Sequence, residues 1–242
     1  MLVKGSPQFD TQDDFGRGDG ISSIPQWPYS SNQFQQKPGM LNLDSFDLDT
    51  ELQNILHRLR DISCQPSTTD SSNVPTILSP SDLHDLTCFV LHKLLRSPLI
   101  TMDSQQTILS KCLRYATSIY MLIIHGPTYF PHTVILQSLV QQLKYYLSFI
   151  LSSGLQHQFG VWLINAGMVG SLATSESRWF LDQASTLRAG LNFQSWEDIK
   201  LCLESVLWLQ TGTGTLFRQA WEGIFASDTN ASLFKLALLP EG

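Results

Sequence analysis

The sequence predicts an all-α protein, a single array of about eight helices behind a disordered N-terminal arm. Three observations predict it. Apolar residues recur at i, i+3 and i+4 along most of the chain from Leu43 onward. N-cap residues, first-turn prolines and Gly-Pro stops fall where those periodic runs begin and end. No segment alternates apolar and polar residues as a half-buried strand would. The chain therefore divides into an arm at 1–42 and a helical domain at 43–242, with an internal linker at 63–79.

The arm is acidic and rich in Gly, Ser, Gln and Pro, with isolated Phe9, Phe15, Trp27, Tyr29 and Phe34 and no lasting period. Such a composition cannot bury enough apolar surface to offset chain ordering, which predicts disorder. From Leu43 a stripe of Leu48, Leu52, Ile55, Leu56, Leu59 and Ile62 marks the first helix. Asp44, Asp47, Asp49 and Glu51 lie near its start, where the helix dipole favours negative charge. Ser63 to Ser79 reads as a Ser/Thr/Pro linker, and Ser79-Pro80 as N-cap and first-turn proline of a helix to about Arg96, stopped by Pro98.

Asp103 caps the next predicted helix, with Ile108, Leu109, Cys112, Ala116, Ile119, Tyr120 and Ile123 on its apolar face and Gly126-Pro127 at its end. Ile135, Leu139, Leu143, Tyr146, Leu147 and Ile150 mark another, with Gln137, Gln141, Lys144 and Ser148 on its wet side. Phe159 to Leu172 is apolar nearly all round, as a central core helix would be. Ala166, Gly167 and Gly170 there are small enough to let a neighbour approach. Helices at about 176–189, 196–210 and 214–226 complete the array. Ser195 and Asp198 have the spacing of a capping box for the second of these. Its stripe is Ile199, Leu203, Val206, Leu207 and Gln210, with Glu197, Lys200 and Glu204 opposite. Five of the six tryptophans lie between Trp162 and Trp221. Trp162, Trp179, Trp196 and Trp208 are expected to be largely buried.

Composition excludes several functions. The net charge is −6, and charged residues make up 15% of the chain against the usual ~25%. Few charges are expected of a protein whose surface is partly covered by partners, or of one with a thick core. No cluster of Lys and Arg occurs; the densest stretches are His57 to Arg60 and Lys93 to Arg96. Direct sequence-specific DNA binding by this chain alone is not expected, because an autonomous reader presents a basic face to the phosphates. Cys64, Cys88, Cys112 and Cys202 include no CxxC pair, which argues against a disulfide framework or a structural zinc site. The N-terminus shows no apolar signal segment. The Phe159 to Ala173 stretch falls short of the ~20 residues of a membrane span, so no membrane association and an intracellular protein are expected.

No constellation predicts a catalytic, cofactor-binding or metal-binding residue. His84, Cys88 and His92 project from one side of a single helix at i, i+4 and i+8. All are competent zinc ligands, but three on one straight helix do not converge without a ligand from a second segment. Asp10, Asp13 and Asp14 resemble a terpene-synthase aspartate motif but lie in the arm, away from any rigid wall to hold magnesium. Gly212-Thr213-Gly214-Thr215 lacks the Lys-Ser/Thr and preceding strand of a phosphate loop, and reads as a helix-connecting turn with Thr213 or Thr215 as cap. His125 and His132 flank the Gly126-Pro127 turn. Arg17-Gly18-Asp19 and the Asn230-Ala231-Ser232 sequon carry little meaning in a chain without a secretion signal. No Gly-x-Ser-x-Gly elbow is present. Acid mixed with bulky apolar groups in the arm and around Asp44 to Glu51 is the composition of activation segments, although 43–62 reads first as a capped amphipathic helix.

Five motifs occur in order: Cys112-Leu113-Arg114-Tyr115-Ala116, Trp162 to Met168, Arg178-Trp179-Phe180, Ser195 to Lys200, and Trp208-Leu209. Together they resemble the fungal-specific transcription factor domain, the C-terminal regulatory region of fungal binuclear zinc-cluster transcription factors, over roughly Leu43 to Ala226. The resemblance implies a helical regulatory module in a nuclear transcription regulator, with a metabolic gene set as its target and other regulators or coactivators as protein partners. The six closely spaced cysteines of that family's DNA-reading cluster are not in this sequence. Such a chain would act through a partner regulator, or represent a gene that lost its cluster or a shortened gene product. A helical ligand-sensing or scaffold module unrelated to transcription, and a helical enzyme on an apolar substrate, are the rival expectations. The oligomeric state is left open.

Overall fold

The computed structural model describes residues 2, 3, 6, 7, 39–64, 78–96, 105–126, 133–151, 155–172, 174–209 and 211–237. Among them eight α-helices follow in order: α1 (Thr50–Cys64), α2 (Pro80–Arg96), α3 (Gln105–His125), α4 (Thr133–Ile150), α5 (His157–Gly170), α6 (Ser177–Leu191), α7 (Trp196–Val206) and α8 (Gly214–Ala237). A 3-10 turn, Leu43–Ser45, precedes α1. The one strand pairing among the described residues joins β1 (Leu2–Val3) antiparallel to β2 (Ser6–Pro7), within the segment that composition assigns to the arm. The rest of the arm to Pro38, with Asp10, Asp13, Asp14 and the Arg17-Gly18-Asp19 motif, lies outside the described residues. So do most of the 63–79 linker, Pro98, Asp103, Pro127, His132 and Gln210.

The caps set the helix starts. Asp49 Oδ1 accepts the backbone N–H of Glu51 and of Leu52, each at 3.0 Å, which starts α1 one turn inside the predicted segment. Ser79 Oγ accepts the Asp82 N–H at 3.1 Å, just ahead of Pro80 at the first position of α2. Ser195 and Asp198 form the reciprocal capping box of α7. The Gln194 and Ser195 backbone N–H groups, with the Ser195 hydroxyl, hold the Asp198 carboxyl below the usual range. At the other ends, Gly126 after α3 and Asn192 after α6 take left-handed φ of +75° and 54°, which closes each helix.

α5 is the central element, packed against α3, α4, α6, α7 and α8, with every residue from Phe159 to Gly170 buried. Two glycines make this possible. A Cβ on Gly167 would enter the ring of Phe180 on α6, and one on Gly170 would lie 2.6 Å from Ile119 Cγ2 on α3. The close approach expected of these small residues is therefore realised on two sides.

The tryptophans divide. Trp162 and Trp221 are fully buried, with their indole N–H groups donating to the Leu207 carbonyl (2.7 Å) and to Asn165 Oδ1 (2.9 Å). Trp179, Trp196 and Trp208 keep part of their surface exposed and pack against the core from its edge, largely buried as the sequence leads one to expect. They pack by their edges: Trp196 on Trp208, Trp208 on Phe217 and Trp179 on Phe180.

Two helix ends also differ from expectation. α7 stops at Val206, and Leu207 is extended at φ −165°, ψ 125°. Buried side chains from elsewhere take up the backbone groups that would have continued the helix. Arg60 donates to the carbonyls of Ser205 and Val206, Trp162 to that of Leu207, and Tyr120 Oη accepts the Leu209 N–H at 2.8 Å. α8 extends to Ala237, past the expected end near 226, and includes the Asn230-Ala231-Ser232 sequon. No helix among the described residues is long and apolar enough to cross a membrane.

Candidate functional site

Four places combine chemistry with accessibility or unusual burial. The first is the histidine and cysteine face of α2. His84 Nε2 lies 3.6 Å from Cys88 Sγ, one turn along the same helix, while His84 Nδ1 lies 2.9 Å from His125 Nε2 at the end of α3. His125 is the second-segment partner that the sequence did not reveal, because only the packing of α2 on α3 brings the two rings together. The two nitrogens of His84 point at different partners, so the three groups do not converge on a point. His92 is buried two turns from His84. No group of three or more His, Cys, Asp or Glu among the described residues is placed to hold a metal ion. Burial, with the nearby charge of Asp85 second, pushes the Cys88 thiol up to about 11, unlike an activated nucleophile.

The second place is the acidic and aromatic segment ahead of α1. Three of its acids, Asp44, Asp49 and Glu51, are engaged within the fold. Asp44 accepts from Gln53 Nε2 at 2.6 Å and lies 3.0 Å from His57 Nε2. Asp49 caps α1 and pairs with Arg114 at 2.6 Å, and Glu51 lies 3.7 Å from Lys93. Phe46 packs edge-on against Phe159 at 4.9 Å. Residues 43–62 thus form a docked, capped helix and its lead-in.

The third is the Gly212 to Thr215 turn. Thr213 and Thr211 share a hydroxyl hydrogen bond at 2.8 Å, and the Gly214 N–H donates to the Thr211 carbonyl at 3.2 Å. These groups satisfy one another, as a connecting turn requires.

The fourth is the outward face of α4. Leu139, Val140, Leu143, Leu147 and Ile150 point inward, and Val134, Gln137, Gln141, Gln142, Tyr145 and Phe149 point outward. Val134, Tyr145 and Phe149 are 73%, 58% and 52% exposed, high values for large apolar groups. Tyr145 packs edge-on against both Tyr146 and Phe149, at 5.1 and 5.0 Å, so the aromatic end of the face is preorganised. Tyr146 in turn stacks on Tyr115 of α3 and receives the Lys111 ammonium 4.9 Å from its ring centre. The single charge of α4, Lys144, turns aside to Glu176 at 2.6 Å. The sequence places Gln137, Gln141, Lys144 and Ser148 on this wet side, where Lys144 is 36% exposed; the exposure of Tyr145 and Phe149 is not readable from an apolar period alone.

No protein-family model matches the chain, and no curated protein and no solved structure matches it either.

Proposed function

We propose that the protein is a transcription regulator of the fungal zinc-cluster factor type, acting in the nucleus through its helical regulatory domain and through protein partners, with no direct sequence-specific DNA binding by this chain alone. The observation that carries this reading is the way its five family-like motifs fall together. Cys112 to Ala116 lies in α3, Trp162 to Met168 in α5, Arg178 to Phe180 in α6, Ser195 to Lys200 at the start of α7, and Trp208-Leu209 just after it. Tyr120 of α3 packs on both Trp162 and Trp208, Trp196 packs edge-on against Trp208, and Gly167 lies against the Phe180 ring, so four of the motifs lie around a single core. A net charge of −6 supports the second half of the proposal, since an acidic chain gains little from releasing phosphate counterions. The expected targets form a metabolic gene set, as the resemblance implies.

The test is to tether the protein to an unrelated DNA-binding domain in a fungal cell and read a reporter gene, with cell fractionation alongside. Altered reporter output and nuclear recovery are expected. An unchanged reporter together with recovery outside the nucleus would sink the proposal. Turnover of an apolar substrate, lost on changing one buried histidine or carboxylate, would favour a helical enzyme instead.

A further inference from the structure

Lys111 on α3 is 7% exposed, and its ammonium lies over the face of Tyr146 of α4, 4.9 Å from the ring centre. Among the described residues that ammonium meets neither a carboxylate nor any other hydrogen-bond acceptor. Tyr146 stacks on Tyr115, one turn beyond Lys111, with ring centres 5.8 Å apart and planes 11° from parallel. Neither phenol hydroxyl has a hydrogen-bond partner among the described residues. We propose that Lys111, Tyr115 and Tyr146 form a binding site for a small aromatic monocarboxylate, held by its carboxylate.

The donors select an anion. A buried ammonium without an acceptor keeps most of its desolvation cost, which a cation–π contact offsets only in part. A carboxylate accepts several hydrogen bonds at once, and those from an ammonium are charge-assisted. Burial first, and the neighbouring Tyr146 phenol second, raise the Tyr115 pKa above its ordinary value, so that hydroxyl remains a donor at neutral pH. The described acids alongside α3 and α4 are committed elsewhere. Asp49, whose backbone N–H donates to Ser110 beside Lys111, is taken by Arg114 at 2.6 Å, and Glu176 is taken by Lys144.

Charge and shape narrow the class. One ammonium balances one negative charge, whereas a dianion such as phosphate would carry surplus charge into a protein of net charge −6. Tyr145, at the exposed edge, packs edge-on against Tyr146 at 5.1 Å and offers a flat ring to the body of the ligand. The Tyr115–Tyr146 stack joins α3 to α4 and is already formed, so binding requires little further ordering. This inference does not rest on the transcriptional reading, and either can fail without the other.

Ligand-observed NMR titration of the full chain with benzoate tests it, beside uncharged benzamide and inorganic phosphate, with circular dichroism to confirm that each variant keeps its helices. Benzoate should bind, and benzamide and phosphate should each bind about tenfold more weakly or not at all. Lys111→Met keeps the apolar stem and should weaken benzoate about ten- to hundredfold, while Lys111→Arg retains it. A parent that does not bind benzoate, or that binds benzamide equally well, would overturn the proposal and leave Lys111 as a hydrated lysine. So would a folded Lys111→Met that binds benzoate like the parent. Phosphate bound as tightly as benzoate would overturn the aromatic class. Should Lys111→Met lose its helices, the comparison of acid with amide on the parent still decides.

Discussion

Tyr120 Oη accepts the backbone N–H of Leu209 at 2.8 Å, eighty-nine residues away in sequence, from a ring that is itself 1% exposed. Burial and this contact belong together: the phenol stays protonated, its pKa raised by desolvation beyond the ordinary tyrosine range. Tyr120→Phe keeps the ring and strands the Leu209 N–H. A loss of about 1–3 kcal/mol in urea unfolding is expected, with no change in helix content. A variant as stable as the parent would show that water replaces the hydroxyl.

Gly167 and Gly190 give opposite expectations for the same substitution. Gly167→Ala drives a methyl into the Phe180 ring and should cost about 1–3 kcal/mol or more in thermal or urea unfolding. Pairing it with Phe180→Leu, which makes room, should recover part of that loss. Gly190 near the end of α6 has no atom within 4 Å of its would-be Cβ. Gly190→Ala is expected to be neutral or to stabilise by up to about 1 kcal/mol.

The hydrogen bond from Lys144, followed by that from Ser175, holds the Glu176 carboxyl below its ordinary value of 4.5. A carboxyl depressed in the folded state contributes stability that is present above its unfolded pKa and lost as pH falls through the depressed value. Stability of the parent should therefore fall as pH drops below about 4.5. Lys144→Met should flatten that limb, and an identical acid profile in the two proteins would remove the pair from the account.

Burial pushes the Cys112 thiol up to about 12 and that of Cys88 to about 11. Thiolate is the reacting species, so both should resist iodoacetamide at neutral pH until the protein unfolds. Mass spectrometry of the alkylated native protein checks this; rapid labelling of Cys112 would mean that α3 opens far more readily than its packing implies.

Helices with strong periods and local caps were legible from sequence, because the groups that start them sit within three residues of one another: Asp49 with Leu52, Ser79 with Asp82, Ser195 with Asp198. The end of α7 was not. Its apolar stripe continues through Leu207, and only groups from α1, α3 and α5 draw the backbone out at Leu207 to Leu209. Tryptophan burial was legible from the helical stripes; what separates fully buried Trp162, whose indole N–H finds a partner inside the body, from partly covered Trp196 and Trp208, whose rings close the end of a helix, was not. The pairing of His84 with His125 depends on the packing of α2 against α3, which no local pattern encodes. The wet side of α4 was legible as polar; that two aromatic rings share it was not.

Arg60 spans the chain in a way that bears on how it is made. Its guanidinium binds the Leu41 carbonyl and those of Ser205 and Val206, and the Leu41 N–H donates directly to the Ser205 carbonyl at 2.9 Å. On the ribosome, α1 therefore emerges long before the segment that seals it. Throughout that delay Leu52, Ile55, Leu56 and Leu59 lack part of their final cover, and contacts so distant in sequence slow folding. A nascent chain stalled ahead of Ser205 should be bound by chaperones and cut readily by protease within α1, whereas one carried past Leu209 and clear of the exit tunnel should resist cleavage there.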